Sequence, residues 1–175
     1  MLKQLIYGIL FSLLLLTGIN PLHAEDTRKD TPTKAKELSE AEQRKFDYFF
    51  FEGLNLKTAG KFDAAFDAFN HCMAIDSTAS PVLYELSSFY VQMNRPEKAV
   101  EMLQRAVANS TDNFTYRMAL ATISRNLGMY GEAAEEYEKL VKAFPGKPEL
   151  NYYLAEALTQ EGETGKAIDA YNALE

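Results

Sequence analysis

The sequence predicts an all-α fold, a run of stacked helical hairpins, from three observations. With a period of 34 the stretch from Phe46 to Glu175 divides into four units, 46–79, 80–113, 114–147 and 148–175, the last short of its final six positions. Small, aromatic and turn-forming residues recur in phase across those units. Nothing from 39 to 175 alternates with period two for long enough to argue a strand.

Composition sets the outer bounds. The chain has 175 residues, 47% hydrophobic and 25% charged, with one Cys and no Trp, inside the range of globular proteins. A formal charge of −7 and the lack of any basic stripe speak against nucleic acid, because phosphate binding needs clustered Lys and Arg to release counterions. A single cysteine makes no internal disulfide, so stability has to come from packing. Cys72 reads as a small apolar residue on an alanine-rich helix.

Residues 1–24 read as a secretory signal peptide. Lys3 supplies a positive start, Leu5 to Leu16 (LIYGILFSLLLL) a short apolar run, and Leu22-His23-Ala24 a cleavage site before Glu25. The alternative is an inner-membrane anchor formed by residues 5–19, but that run is interrupted by Ser12 and Thr17 and falls short of the roughly 18–20 apolar residues needed to span a bilayer. Cleavage leaves an acidic chain of net charge −8, expected in the periplasm, although export of this kind also fits full secretion. Residues 25–38 (EDTRKDTPTKAKEL) mix charges and lack aromatics, so they are expected to form a flexible polar linker.

The repeat domain is expected over 39–175. Ser39-Glu40-Ala41-Glu42 is a capping box and predicts a helix from there to about Thr58, ended at Gly60. Its charged start, with Glu40, Glu42, Arg44 and Lys45, reads as a closed N-terminal end. Within each unit the eighth residue is small (Gly53, Ser87, Ala121, Ala155) and the twentieth is alanine (Ala65, Ala99, Ala133, Ala167). The twenty-fourth is large (Phe69, Leu103, Tyr137, Tyr171), and the fifteenth is Gly60, Asn94, Gly128 or Gly162, the residue types that best tolerate positive φ. Two antiparallel helices follow: small residues let the backbones approach, the large one fills the space beyond, and Gly or Asn closes the turn. Pro81, Pro96 and Pro148 mark further helix starts, where a missing N–H is harmless.

This pattern resembles the tetratricopeptide repeat (TPR) family, whose 34-residue helix pairs carry a small residue at eight, Ala at twenty, an aromatic at twenty-four and often Pro at thirty-two, the place of Pro145. The departures are Arg117 and Asn151 at four, Glu52 at seven, and Leu140 and Leu174 at twenty-seven. The resemblance implies a right-handed α-solenoid of helix-turn-helix repeats whose first helices line a concave face that binds peptides or partner domains. Carried over by position, that face holds Phe50, Tyr84, Met118 and Tyr152 as a ladder of large residues, with Leu54, Ser88, Thr122 and Glu156 beside it. Lys57, Val91, Arg125 and Thr159 come next, then Thr58, Gln92, Asn126 and Gln160. A stripe at this spacing is also what core packing between neighbouring first helices produces. The family's clamp for a chaperone's terminal carboxylate is not matched, because Phe50 and Leu54 occupy two of its positions.

Catalysis has no candidate group. His71 is the sole histidine after cleavage, no phosphate-cradling Gly-rich loop follows a strand, and no metal-ligand spacing is present, so no cofactor, metal or small-molecule substrate is implied. The acidic runs Glu132, Glu135, Glu136, Glu138 and Glu161, Glu163 could suggest paired carboxylates or a divalent-metal site, but with Glu132 and Glu136 on one helix face and Lys139 near they read as solvated surface. The expected function is a non-catalytic adaptor or assembly scaffold for a protein partner. The alternatives are the N-terminal adaptor portion of a larger exported enzyme or receptor, and self-association through an open C-terminal flank at Tyr171 to Glu175.

Overall fold

The computed structural model describes residues 37–174, and the expected signal peptide, the anchor alternative and most of the expected linker lie outside them. The described chain forms eight helices: α1 Glu40–Thr58, α2 Phe62–Ile75, α3 Ser80–Gln92, α4 Pro96–Asn109, α5 Phe114–Asn126, α6 Tyr130–Ala143, α7 Glu149–Glu161 and α8 Thr164–Asn172. Among the described residues there is no strand. Each unit is one hairpin, α1–α2, α3–α4, α5–α6 and α7–α8, stacked side by side as an all-α solenoid.

All four hairpins turn by the same device. Gly60, Asn94, Gly128 and Gly162 take φ of 73°, 56°, 77° and 94°, the left-handed region in which a Cβ is strained. In the first hairpin the N–H of Gly60 donates to Lys57 O at 3.0 Å and that of Lys61 to Leu56 O at 2.9 Å. The longer bond recurs as Arg95 to Tyr90, Met129 to Ser124 and Glu163 to Leu158, at 2.8 to 2.9 Å. These are Schellman closures, which satisfy carbonyls that a helix end leaves open.

The small positions do what their size allows. Gly53, Ser87, Ala121 and Ala155 are buried, and Ala65, Ala99 and Ala133 are fully buried beside them. Phe69, Leu103 and Tyr137 fill the space beyond at 0–3% exposure, whereas Tyr171 of the last unit stays 40% exposed because no described helix follows it. The first hairpin is rich in rings: Phe69 meets Phe50 at 6.1 Å and Phe89 at 5.9 Å. Each such buried ring is worth about 1.5–3 kcal/mol.

The N-terminal start follows the capping box, with Ser39 Oγ accepting from Glu42 N at 3.3 Å and Ser39 N donating to the Glu42 carboxylate at 3.0 Å. The prolines differ slightly from expectation: Pro96 opens α4, but Pro81 lies one residue inside α3 and Pro148 one residue before α7 with helical angles. A larger difference concerns the N-terminal flank. Tyr48 and Phe51, at positions three and six, are 64% and 62% exposed, while Val82 and Leu150 at position three are buried. The charged residues 40–45 lie earlier along the helix, and among the described residues nothing covers that apolar flank, in contrast to the closed end expected.

Candidate functional site

The first helices of units two and three, α3 and α5, lie side by side and leave a trough of about 480 Å³ between them. Tyr84, Ser88, Met118, Thr122 and Asn126, all expected on the concave face, are brought together in its lining. Val91 joins them at the rim, 51% exposed. Phe114, Ala119 and Ile123 of α5, and Leu103 reaching in from α4, complete the apolar part. These four were not legible from the groove positions alone, because they reach the trough through the offset between neighbouring hairpins. For Phe114 and Ile123 the signal was an apolar residue at positions one and ten of unit three.

Among the described residues that line this trough none is charged. Its polar atoms are hydroxyls and one amide, and the hydroxyls are partly committed: Ser87 Oγ donates to Tyr84 O at 2.6 Å and Ser88 Oγ to Glu85 O at 2.7 Å. Tyr84 leans on Tyr116 at 5.3 Å between centroids, and burial raises the pKa of the Tyr116 phenol. The result is a surface that takes apolar side chains and offers few strong hydrogen bonds.

The other groove positions are arranged differently. Phe50 stacks with Phe46 at 6.1 Å and, with Leu54, packs into the core of the first hairpin. Gln92 is exposed outside the trough lining. Arg125 donates to the Glu156 carboxylate at 2.7 Å and lies 5.8 Å from the Tyr153 ring, so this pair ties unit three to unit four. Lys57 and Glu85, 2.6 Å apart, do the same for units one and two. Charge on this face is spent between repeats. Tyr152 is 48% exposed and meets Tyr171 edge-on at 6.3 Å, on the flank beyond the last hairpin.

One residue departs from the sequence expectation on the other helices. Glu136 is not part of a solvated stripe: its side chain is 13% exposed and holds both the Arg117 guanidinium and Lys139 Nζ, the latter at 2.6 Å. Arg117 also donates to Thr111 O at 2.7 Å. A cation at position four has thus been matched by an anion at position twenty-three. Cys72 is fully buried, its Sγ 3.6 Å from Phe46 O, and burial, with the Asp47 charge second, pushes its thiol pKa up to about 11. His71 stacks on Phe49 at 4.5 Å. Among the described residues no cluster of His, Cys, Asp or Glu is placed to hold a metal, and no helix is long and apolar enough to cross a membrane.

Hairpins of this period, turn and packing define a helical repeat protein. Two models of the tetratricopeptide repeat match the chain over residues 56–123 and 119–175, and the chain belongs to that family. MamA shares the fold with a TM-score of 0.65 and 21% identity, over 77% of this chain and 73% of that one. YrrB, described as a TPR protein with an unusual peptide-binding site, superposes with a TM-score of 0.62 and 18% identity, over 77% of this chain and 69% of that one. Among curated proteins, the Vi polysaccharide export protein VexE of Salmonella typhi is 26% identical over 107 residues. That match takes in 61% of this chain but 16% of VexE.

Proposed function

We propose that this chain is an exported, non-catalytic adaptor or assembly scaffold of the periplasm that seats a segment of a protein partner in the trough between α3 and α5. The observation that carries the reading is the trough itself, about 480 Å³ with none charged among the described residues of its lining. Its occupant is a segment that presents apolar side chains, and aromatic anchors such as Tyr84 are the kind that dominate interface energies. Export is supported by the Lys3, Leu5 to Leu16 and Leu22-His23-Ala24 pattern, and a place in the envelope by the partial likeness to a polysaccharide export protein. The absence of catalysis is supported by the Cys72 thiol, buried and with its pKa pushed to about 11, which supplies no thiolate at neutral pH. The same role suits repeats that form the adaptor portion of a larger exported enzyme or receptor.

The test is photo-crosslinking in intact cells from a probe placed at Thr122 in the trough, with a probe at exposed Lys142 as control. A discrete adduct from position 122 that Met118→Arg abolishes supports the reading. Equal labelling from both probes, or an adduct indifferent to Met118→Arg, overturns it.

A second reading, self-association, is favoured by the C-terminal flank. Ile168, Tyr171 and Leu174 are 54%, 40% and 37% exposed, whereas Ala134, Tyr137 and Leu140 at the same repeat positions are buried by the next hairpin. Light scattering over a dilution series, with Ile168→Asp as the comparison, checks it: a concentration-dependent mass that the variant removes supports the flank as an interface.

A further inference from the structure

We propose that unit three carries a second site, apart from the trough, that takes a primary ammonium group on an aliphatic arm. It is a cavity of about 180 Å³ between α4, α5 and α6, lined by Gln104, Leu120, Ser124, Glu132, Glu135 and Glu136.

The repeat supplies its own reference for why the cavity is there. Position eleven holds Leu56, Tyr90 and Leu158 in the other units, but Ser124 in unit three, and Leu158 is buried. A large side chain is thus replaced by a hydroxyl, and space is left where the other units pack. The hydroxyl is unusual in a second way. Ser87, Ser88, Thr58 and Thr159 each return their hydroxyl to a carbonyl one turn back, at 2.6 to 2.9 Å. Ser124 is 1% exposed, lines the cavity, and among the described residues its Oγ has no hydrogen-bond partner. Leaving such a group unpaired destabilises the fold, and a ligand that bonds it removes that penalty.

The acids define the charge of that ligand. Glu136 already holds Arg117 and Lys139. Among the described residues no ion pair or hydrogen bond engages the side chains of Glu132 and Glu135, one turn of α6 apart and both in the lining. The carboxylates are not grouped as a metal site, so a bare divalent ion does not fit. Glu132 and Glu135 are exposed residues, so they stand at the solvent side of the cavity, and an ammonium group, with three donors on one centre, would bond Ser124 Oγ and these two carboxylates while its carbon arm packs on Leu120. The arm belongs either to a lysine of a protein partner or to a free alkyl diamine, and the two sources share this chemistry.

The experiment is an NMR titration of the protein with cadaverine, with the peptide acetyl-Gly-Lys-Gly-amide, and with pentane-1,5-diol as the uncharged analogue, reading backbone amides of 120–136. Saturable shifts with cadaverine or the peptide, a dissociation constant of about millimolar order and no response to the diol are expected. Ser124→Leu, which restores the residue of units one and four, and Glu132→Gln with Glu135→Gln are each expected to weaken binding about tenfold or more. Response to the peptide alone assigns the site to a partner's lysine, and response to cadaverine alone to a free amine. Absence of binding by both probes, an equal response to the diol, or binding that both variants leave unchanged overturns the proposal.

Discussion

Gly53 and Gly131 offer a paired test of how rigidity, rather than closeness, sets the cost of an added methyl group. A Cβ at Gly53 lies 2.9, 3.0 and 3.1 Å from three carbons of the Phe69 ring. That ring is fully buried and walled by Phe50 and Phe89, so it has nowhere to go. Alanine in a helix interior gains about 1 kcal/mol over glycine, and overpacking a filled core costs about 1–3 kcal/mol. We therefore expect Gly53→Ala to lose about 1 kcal/mol net, lowering the urea midpoint by about 0.5 M for an m-value near 2 kcal/mol/M. At Gly131 the contact is closer, 2.6 Å to Glu161 Oε1, but that atom is the tip of an exposed side chain that can swing into water. Gly131→Ala is expected to be neutral or to gain about 0.5 kcal/mol. Phe69→Leu, which gives unit one the Leu103 of unit two, should relieve the first clash, so Gly53→Ala costs less on that background. Equilibrium urea unfolding followed by far-UV circular dichroism measures all four. Gly53→Ala at or above the parent's stability, or Gly131→Ala below Gly53→Ala, refutes the reasoning.

The remaining expectations concern polar groups inside the stack. The Tyr137 hydroxyl is buried without a partner among the described residues, so Tyr137→Phe is expected to raise stability by about 1 kcal/mol in the same assay; a loss would reveal a bond that the hydroxyl makes. Arg117→Met strips Glu136 of its guanidinium and should cost about 2 kcal/mol, most of it recovered by adding Glu136→Ala, the residue of units one and four at that position; a double variant no better than the single counts against the pairing. The Cys72 thiol holds its proton to about 11 in the folded chain against 9.0 when unperturbed. Between those pH values the unfolded chain has released a proton that the folded chain keeps, so the thiol's contribution is complete below pH 9 and fades as pH rises through 11, with a slope of up to about 1.4 kcal/mol per pH unit. Cys72→Ala should remove that part of the alkaline decline, and urea midpoints across the range that fall equally steeply in both proteins would refute it.

The parts of the fold legible in the sequence are those that depend on contacts within one hairpin. Gly60, Asn94, Gly128 and Gly162 announced the turns because only a few residue types accept their φ, and the alanines at position twenty announced the close helix approach. The parts that escaped depend on how one hairpin sits on the next. The exposure of Tyr48 and Phe51 is of this kind, because only the stack shows that, among the described residues, the charged turn before them leaves both rings uncovered. Phe114, Ile123 and Leu103 reach the trough through that same offset. The pairing of Arg117 with Glu136 spans 19 residues and two helices, beyond what helical spacing relates.

Four copies of one hairpin also let departures be sorted by whether the structure answers them. Arg117 breaks the pattern at position four, and a second departure, Glu136 at position twenty-three, where Ala68, Met102 and Ala170 stand in the other units, answers it with an ion pair of the same hairpin. Such a pair of changes leaves packing closed and asks for nothing further. Ser124 breaks the pattern at position eleven and no described residue answers it: the volume stays open, the hydroxyl has no partner among the described residues, and two carboxylates line the gap without a described counter-charge. Removing a large apolar side chain from a core typically costs about 2–5 kcal/mol, and an unpaired hydroxyl adds to that. A fold stabilised by about 5–15 kcal/mol in total carries few such losses, so an unanswered departure is a stronger pointer to a ligand than an answered one. By this argument unit three is the part of the stack whose sequence serves something other than the stack: α5 gives one face to the uncharged trough and the other to the acidic cavity.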